Sequence, residues 1–429
     1  MMRKTRGTVA AGIAAALTLA LLAACSSTNT GGATSTTKPQ SDFTLTVSRW
    51  SGPQADEQQK LLDQYTKETG VKVRMDAIDY ASLQPKQTLN MNTKTGQYDL
   101  VYMPEAWVGQ YVKSNFLVDL SKYVKDESLT GKNWDFADIQ KSGIDTYTVN
   151  GKLYGLPYFV QMPLLVYNKT QLKKDGFAVP QTWSDILTVA HFYKSQGTGI
   201  ALPFRQGTAI SNVLAVLLAG NGTGFFDESG KLDLTNPSVV QAVQFIQDVS
   251  KDGLQGSNGW HWDEVAKALT FGQAPLGITT TGLFSQIENP TQSKVAGQMG
   301  YAPIPYNKKA AGLIQSWAWG IPKDSKHAKA AFQLAAWLTS KSAQTAFAKM
   351  DPSFVTFRQS VDDDKSLAAN APWLPAIKEA LTNGVTLPLQ PAASQLLTDL
   401  SAGLSGVVTN GDDPKAMLQK VQQADASKF

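Results

Sequence analysis

Ten tryptophans stand out among the side chains able to do chemistry, and several lie beside glycine, serine or a polar residue where turns are expected. An indole offers a flat face to apolar C–H groups, while neighbouring amides, hydroxyls, carboxylates and guanidinium groups donate or accept hydrogen bonds. That combination suits a hydroxyl-rimmed ligand such as a sugar. Trp107, two residues after Glu105, carries it, as do Trp317 beside Ser316 and the pair Trp260 and Trp262. Trp183 and Trp337 fall at helix-period positions and are expected in the core. Trp317 and Trp319 are two apart, so a strand aims both to one side, and one of them is expected in the core.

Other chemistries lack their residues. The sequence holds no HExxH, no P-loop and no GxSxG. His191, His261 and His327 are too scattered for a recognisable metal cluster. Gly220, Gly222 and Gly224 follow a helical stretch and precede Phe225 and Phe226 instead of opening a helix, so they read as a turn. Asp227, Ser229 and Asp233 resemble a calcium loop only superficially, because Lys231 takes a ligand slot and Gly230 comes too early. Asp362, Asp363 and Asp364 read as solvated surface. A glycoside hydrolase would place two carboxylates about 5 to 10 Å apart, and no acid pair falls on facing strand ends. The expectation is binding without catalysis, cofactor or metal.

The elements that must position these residues follow from periodicity. Residues 43–50 (FTLTVSRW) alternate and are rich in β-formers; Asp56 can cap a helix bearing Leu61, Leu62 and Tyr65 on one face and ended by Gly70. Val71, Val73 and Met75 alternate again, a helical stretch covers about 82–94, and 98–103 (YDLVYM) reads as a buried strand. The order βαβαβ implies an α/β fold with a mostly parallel sheet, whose ligands sit beyond the strands' carboxyl ends, at loops 51–54 and 104–107. Residues 151–169 (GKLYGLPYFVQMPLLVYNK) are too broken by proline for one helix and too long for a loop, which suits a passage between two lobes. Residues 301–306 (YAPIPY) form a second passage, since alternate prolines enforce extended backbone and exclude a central strand. Asn236 and Pro237 open a helix, and a long amphipathic helix follows Ser325.

Charge and the N-terminus bound the partners. Lysine plus arginine number 39 against 35 acids; Arg3, Lys4 and Arg6 precede residue 25, leaving 36 against 35 afterwards. A body this neutral offers no electrostatic footprint to nucleic acid or to an anionic membrane surface. The three bases precede an apolar stretch, residues 7–24, that reads as an export signal, followed by Cys25, the only cysteine. Leu22, Ala23, Ala24 and Cys25 resemble a bacterial lipobox, which implies cleavage before Cys25 and a diacylglyceryl group on its thiol. Two acyl chains make a stable anchor. Residues 26–41, rich in serine, threonine and glycine, read as a tether reaching about 20 to 25 Å, suited to the outer face of a Gram-positive membrane.

The lipobox, YDLVYM before a Trp-bearing helix start, GKLYGLPY with YNK nine residues after Tyr158, PQTWSDIL from Pro180 and GIPKDSKHAKAAFQLAAWLTS from Gly320 together resemble the extracellular solute-binding proteins of carbohydrate ABC transporters, the maltose-binding type. The resemblance covers residue 42 to the C-terminus. It implies two α/β lobes closing by a hinge, 42–158 with 306–353 and 159–305 with 354–429, in a monomer that hands an oligosaccharide or other small carbohydrate to a permease. It also implies ligand contacts: Ser51, Gln54, Glu105 and Trp107 from the first lobe, Gln161 on the passage, and Phe204, Arg205, Thr280 and Phe284 from the second. Ser316 and Trp317 complete the set, with Arg358 and Gln390 weaker. Trp107 is expected to be a contact whose removal leaves stability intact. Two positions depart from the pattern: Gln161 is a neutral amide where the family has an acid, and Gly282 stands where it carries a stacking tryptophan, a role Trp260 or Trp262 would take over. A glycerophosphodiester, polyamine or opine ligand is the alternative, though a polyamine wants more inward carboxylates than Asp56 and Glu105.

Overall fold

The computed structural model describes residues 41–51, 54–388 and 392–429. The export signal, Cys25, most of the tether, Gly52 and Gln390 lie outside them.

Alternating apolar residues build the first sheet. β1 (Thr44–Trp50) buries Leu45 and Val47, and pairs in parallel with β2 (Lys72–Ile78) on one side and β3 (Leu100–Pro104) on the other. The intervening helices, Ala55–Thr69 and Tyr80–Thr93, make the expected βαβαβ unit. A short hairpin, β4 (Thr148–Val149) and β5 (Lys152–Leu153), precedes β6 (Leu156–Gln161), which reaches this sheet through β10 (Gln315–Gly320) in the order β2-β1-β3-β10-β6. β10 runs antiparallel to both of its neighbours, so β6 points the same way as β1 and β3.

The second sheet is antiparallel: β7 (Pro163–Asn168) lies between β8 (Leu276–Thr280) and β9 (Met299–Ala302). A parallel bridge from Ala201 to Gly277 extends it beyond β8. β9 is an edge, which accommodates Pro303 and Pro305 immediately after it, as their missing donors require. Helices Ala393–Asn410 and Pro414–Asp425 pack with helices Thr208–Gly220 and Pro237–Lys251 on this second layer.

Three passages join the layers. Met162 alone separates β6 from β7, and it is pinned by Thr281, whose N–H donates to the Met162 carbonyl at 3.0 Å and whose hydroxyl accepts from the Met162 N–H at 3.3 Å. The chain returns between β9 and β10, where the Ile314 N–H meets the Val385 carbonyl at 2.8 Å. The third passage lies along the edge of the first sheet, the Val160 N–H donating to the Val355 carbonyl at 2.8 Å.

Local expectations meet local corrections. The helix after β1 starts at Ala55, with Gln54 at the N-cap position but making no side-chain cap, so Asp56 and Glu57 form its acidic first turn; Gly70 ends it at φ 79°. There the acids favour the helix through its dipole and not through a cap. Asn236 caps the helix starting at Pro237, accepting from the Ser238 N–H at 2.9 Å. Trp183 is buried against Phe245 and donates to the Pro305 carbonyl at 3.0 Å, whereas Trp337 is half-buried and donates to Glu68 at 2.8 Å. Its indole lies along the protein surface because Glu68 satisfies the N–H there. Asp362 is likewise not a solvated acid: it is half-buried near Gln140, and desolvation pushes it up to about 7. The glycine-rich stretch after Gly220 is a turn, Gly222 taking φ 71°.

Candidate functional site

The carboxyl ends of β1, β3 and β6 and the start of β10 come together, and the aromatic residues gather there. Trp50 ends β1 and stacks on Trp317 of β10, with ring centroids 5.7 Å apart and planes at 11°. Tyr80, just after β2, stacks on Trp107 at 5.9 Å and meets Trp317 edge-on at 6.0 Å; Trp107 meets Trp317 edge-on at 6.3 Å. Tyr102 supports Trp317 from within the sheet at 4.7 Å. Such pairs add about 0.5 to 1.5 kcal/mol each beyond the area they bury, so the platform is rigid. Trp107 and Trp317 are buried in it, Trp50 is half-buried, and Tyr80 is 42% exposed. Sequence reasoning missed Trp50 and Tyr80, although each lies at or just past a strand's carboxyl end, the signal that had singled out Trp107.

Glu105 and Ser316, each expected to contact ligand, satisfy each other. The Ser316 N–H donates to the Glu105 carboxylate at 2.7 Å and its hydroxyl lies 3.3 Å away, with the Tyr147 hydroxyl 3.1 Å from that of Ser316. Glu105 opens helix Glu105–Lys113, where the dipole favours its charge. Burial outweighs that and pushes the carboxyl up to about 7. The pair fastens the start of β10 to the end of β3 beneath the platform.

Cross-strand partners share a face, so the pairings Gln315 with Gln161 and Trp317 with Phe159 put Gln161 on the platform's side. Its amide reaches the second sheet: a Cβ added to Gly282 would lie 2.7 Å from Gln161 Nε2. Gly282 follows the end of β8, where Thr280 pairs with Pro163 and keeps its hydroxyl buried with no hydrogen-bond partner among the described residues. The end of β8 thus meets the first sheet at Gln161. At the loop after β1, Ser51 is exposed, while Gln54 takes the left-handed region at φ 72°, uncommon outside glycine and characteristic of functional turns. Its amide is 3.5 Å from the Ser353 hydroxyl, on the third passage.

Other expected contacts lie elsewhere. Arg205 donates its N–H to the Trp260 carbonyl at 2.9 Å, and its guanidinium, half-exposed, is 3.4 Å from Glu264; Trp260 is half-buried. Phe204 is buried in the core, and Phe284 is fully buried against Tyr301 and Trp373, so neither offers a face to a ligand. Arg358 is structural. It is buried over the Trp134 ring, donates to the carbonyls of Thr339 and Asp135, and pairs with Asp138 at 3.0 Å. Trp262 is buried, as is Trp319, 4.6 Å from Tyr102. Among the described residues no three His, Cys, Asp or Glu side chains are placed to hold a metal ion.

Two α/β lobes joined by passages, with an aromatic face at the strand ends of the first, define a two-lobed binding protein. The model of the family described as bacterial extracellular solute-binding protein matches residues 51–345, and the chain belongs to that family, as its motifs suggested. A probable amino-acid ABC transporter periplasmic-binding protein of Sinorhizobium fredii is 25% identical over 75% of this chain and 74% of its own. An ABC transporter solute-binding protein of Agrobacterium radiobacter, solved with ribitol, superposes with a TM-score of 0.82 at 24% identity, covering 91% of this chain and all of that one. One from Agrobacterium vitis, solved with D-mannitol, does so with a TM-score of 0.77 at 25% identity, covering 90% and 98%. These relatives are transport proteins, and no helix among the described residues is long and apolar enough to cross a membrane.

Proposed function

We propose that this protein captures a polyol or small sugar between its lobes and delivers it to the permease of an ABC importer, without catalysing a reaction on it. The observation that carries the reading is the platform of Trp50, Tyr80, Trp107 and Trp317 with the Gln161 amide on its side of the sheet. Aromatic faces take the C–H side of such a ligand, and neutral amides and hydroxyls answer its hydroxyls without selecting a charge. The mannitol bound by the Agrobacterium vitis relative supports the same class. The ligand contacts are these residues with Ser51 and Gln54; Arg205 and Trp260 would act from the second lobe's rim. The lobes are the two sheets with their helices, the ligand drawing them together.

The protein acts as an extracytoplasmic monomer held to the cell membrane by a lipid on Cys25. Incorporation of labelled palmitate by the wild type and not by Cys25→Ser tests the anchor. An amino-acid ligand, which the name of the Sinorhizobium relative raises, needs charged partners for carboxylate and ammonium. Glu105, the acid beside the platform, is already committed to Ser316.

The experiment is a thermal-shift series on the full chain in mild detergent, with polyols, mono- and oligosaccharides, amino acids, polyamines and glycerophosphodiesters. A ligand at a hundred times its Kd adds about 2.7 kcal/mol, which reads as a rise of several degrees. A shift with polyols or sugars alone supports the reading; a shift confined to amino acids or another class overturns it.

A further inference from the structure

We propose that Gln161 is a length gate: its side-chain amide, seated on the bare backbone of Gly282, divides the aromatic platform from a polar pocket on the seam between the lobes. It restricts the ligand to a single polyol or monosaccharide unit. This rests on the polyol or sugar reading above and adds the limit on size.

Three observations meet at this residue. Gln161 is the last residue of β6 and shares the platform's face of the sheet, beside Gln315 and two pairings from Trp317. Its Nε2 lies where any side chain at Gly282 would have to begin, 2.7 Å from that Cβ position, with Phe159 3.8 Å from it. Only glycine lets the amide sit there, and the φ of Gly282 is not in the left-handed region, so the requirement is space and not backbone conformation. Gly282 also lines the seam pocket, about 310 Å³, whose walls include Glu57 and Asp351 from the first lobe and Gln286, Asn289 and Gln292 from the second.

That volume is at the lower end for ligand pockets, about 300 to 1,000 Å³. The Gln286 and Gln292 carboxamides can donate and accept toward the hydroxyls of one more sugar unit, and Asn289, whose Oδ1 already accepts from Thr291, can donate. No lysine or arginine lines the pocket to demand an anion, and Asp351 is occupied by the hydroxyls of Ser285 at 2.5 Å and Ser353 at 2.7 Å. The amide and the pocket share Gly282, so in this proposal a chain leaving the platform passes the Gln161 amide to reach it. The amide therefore terminates the site in the wild type, and its removal joins platform and pocket.

The test is calorimetric titration of the full chain with ribitol, mannitol, maltose and maltotetraose. The wild type is expected to prefer ribitol or mannitol to maltotetraose by at least tenfold. Gln161→Ala should bring that preference below threefold, chiefly by gained affinity for the longer ligands. Gly282→Ala pushes the amide off its seat toward the platform and should weaken the short ligands about tenfold. The double variant should return to the behaviour of Gln161→Ala alone, because the new Cβ then enters vacated space. If the wild type binds none of the four, the sugar reading falls and the gate with it. If it binds them but Gln161→Ala keeps the wild-type preference, or the wild type takes maltotetraose as tightly as mannitol, the gate alone is overturned.

Discussion

Replacing Glu105 with glutamine should remove a pH dependence of stability that the wild type carries. Glu105 is 4% exposed and its carboxylate accepts from the Ser316 N–H at 2.7 Å. Burial raises the group from its ordinary 4.5 to about 7. Between those values the folded protein holds a proton that the unfolded chain has released, so stability falls as pH rises. The contribution is whole below about pH 4.5 and is lost as pH passes through about 7. At ~1.36 kcal/mol for each unit of pKa, the loss amounts to about 3 kcal/mol.

Asp362, also raised to about 7 by burial, adds a slope of the same sign, but it is present in both proteins and cancels in the difference. Carboxylates held below their ordinary range, such as Asp76 and Asp138, titrate at lower pH and leave this window untouched. Denaturant unfolding of the wild type and Glu105→Gln, measured from about pH 5 to about pH 8, supplies that difference. The glutamine keeps an acceptor for the Ser316 N–H and cannot ionise, so the wild type should lose about 3 kcal/mol relative to the variant across the range. Parallel stability curves would show that Glu105 stays ionised in the fold, and the account of its burial would be wrong.

Tyr80→Ala, removing the most exposed ring of the platform, should weaken polyol binding about tenfold, or ~1.4 kcal/mol, by calorimetry, with a small change in melting temperature; unchanged affinity would remove the platform from the site. Trp107→Ala should cost binding and also about 3 to 5 kcal/mol of stability, because Trp107 is 8% exposed and wedged between Tyr80, Tyr111 and Trp317, not the freely removable contact expected from its position in the chain. Arg358→Met should leave ligand affinity unchanged in the folded fraction while destabilising by about 3 to 5 kcal/mol, since Asp138 and two carbonyls lose their donor; a variant folded as stably as the wild type but unable to bind would restore Arg358 to the site. Saturating ligand should shrink the radius of gyration in solution scattering, and an unchanged radius at saturation would rule out lobe closure.

Several parts of the fold were legible because they are written in neighbouring residues. Alternation over a few positions marks a strand, and Asn236 with Pro237, or Gly70, marks a helix end, whatever the rest of the chain does. The prolines of YAPIPY likewise confine Met299–Ala302 to a sheet edge. The same locality explains the error at Asp56, where an acid suited to capping lies one residue inside a helix that Gln54 starts from a left-handed turn.

The site was less legible because its members are not neighbours in the chain. Phe204 and Phe284 occupy expected segments, yet their rings turn inward, Phe284 onto Tyr301 and Trp373. Arg358 was plausible as a hydroxyl donor until Asp138, far away in sequence, claimed its guanidinium. Tyr80 and Trp50 passed unnoticed because each looks ordinary until β10 brings Trp317 against both.

From the amino-acid order alone come the expectation of an export signal, the lone cysteine, the near-neutral body, the βαβαβ start and the expectation that ligands sit at the strand ends, since composition and short-range periodicity act through each residue's own backbone. Which tryptophans form the platform, why Glu105 is consumed by Ser316, 211 residues away, and why Gln161 rests on Gly282 were decided only by the register between distant strands. That register includes a shift between Trp317 and Ala318 on β10. A slip of one residue there would turn Trp317 to the opposite face and dissolve the site while leaving every local pattern intact.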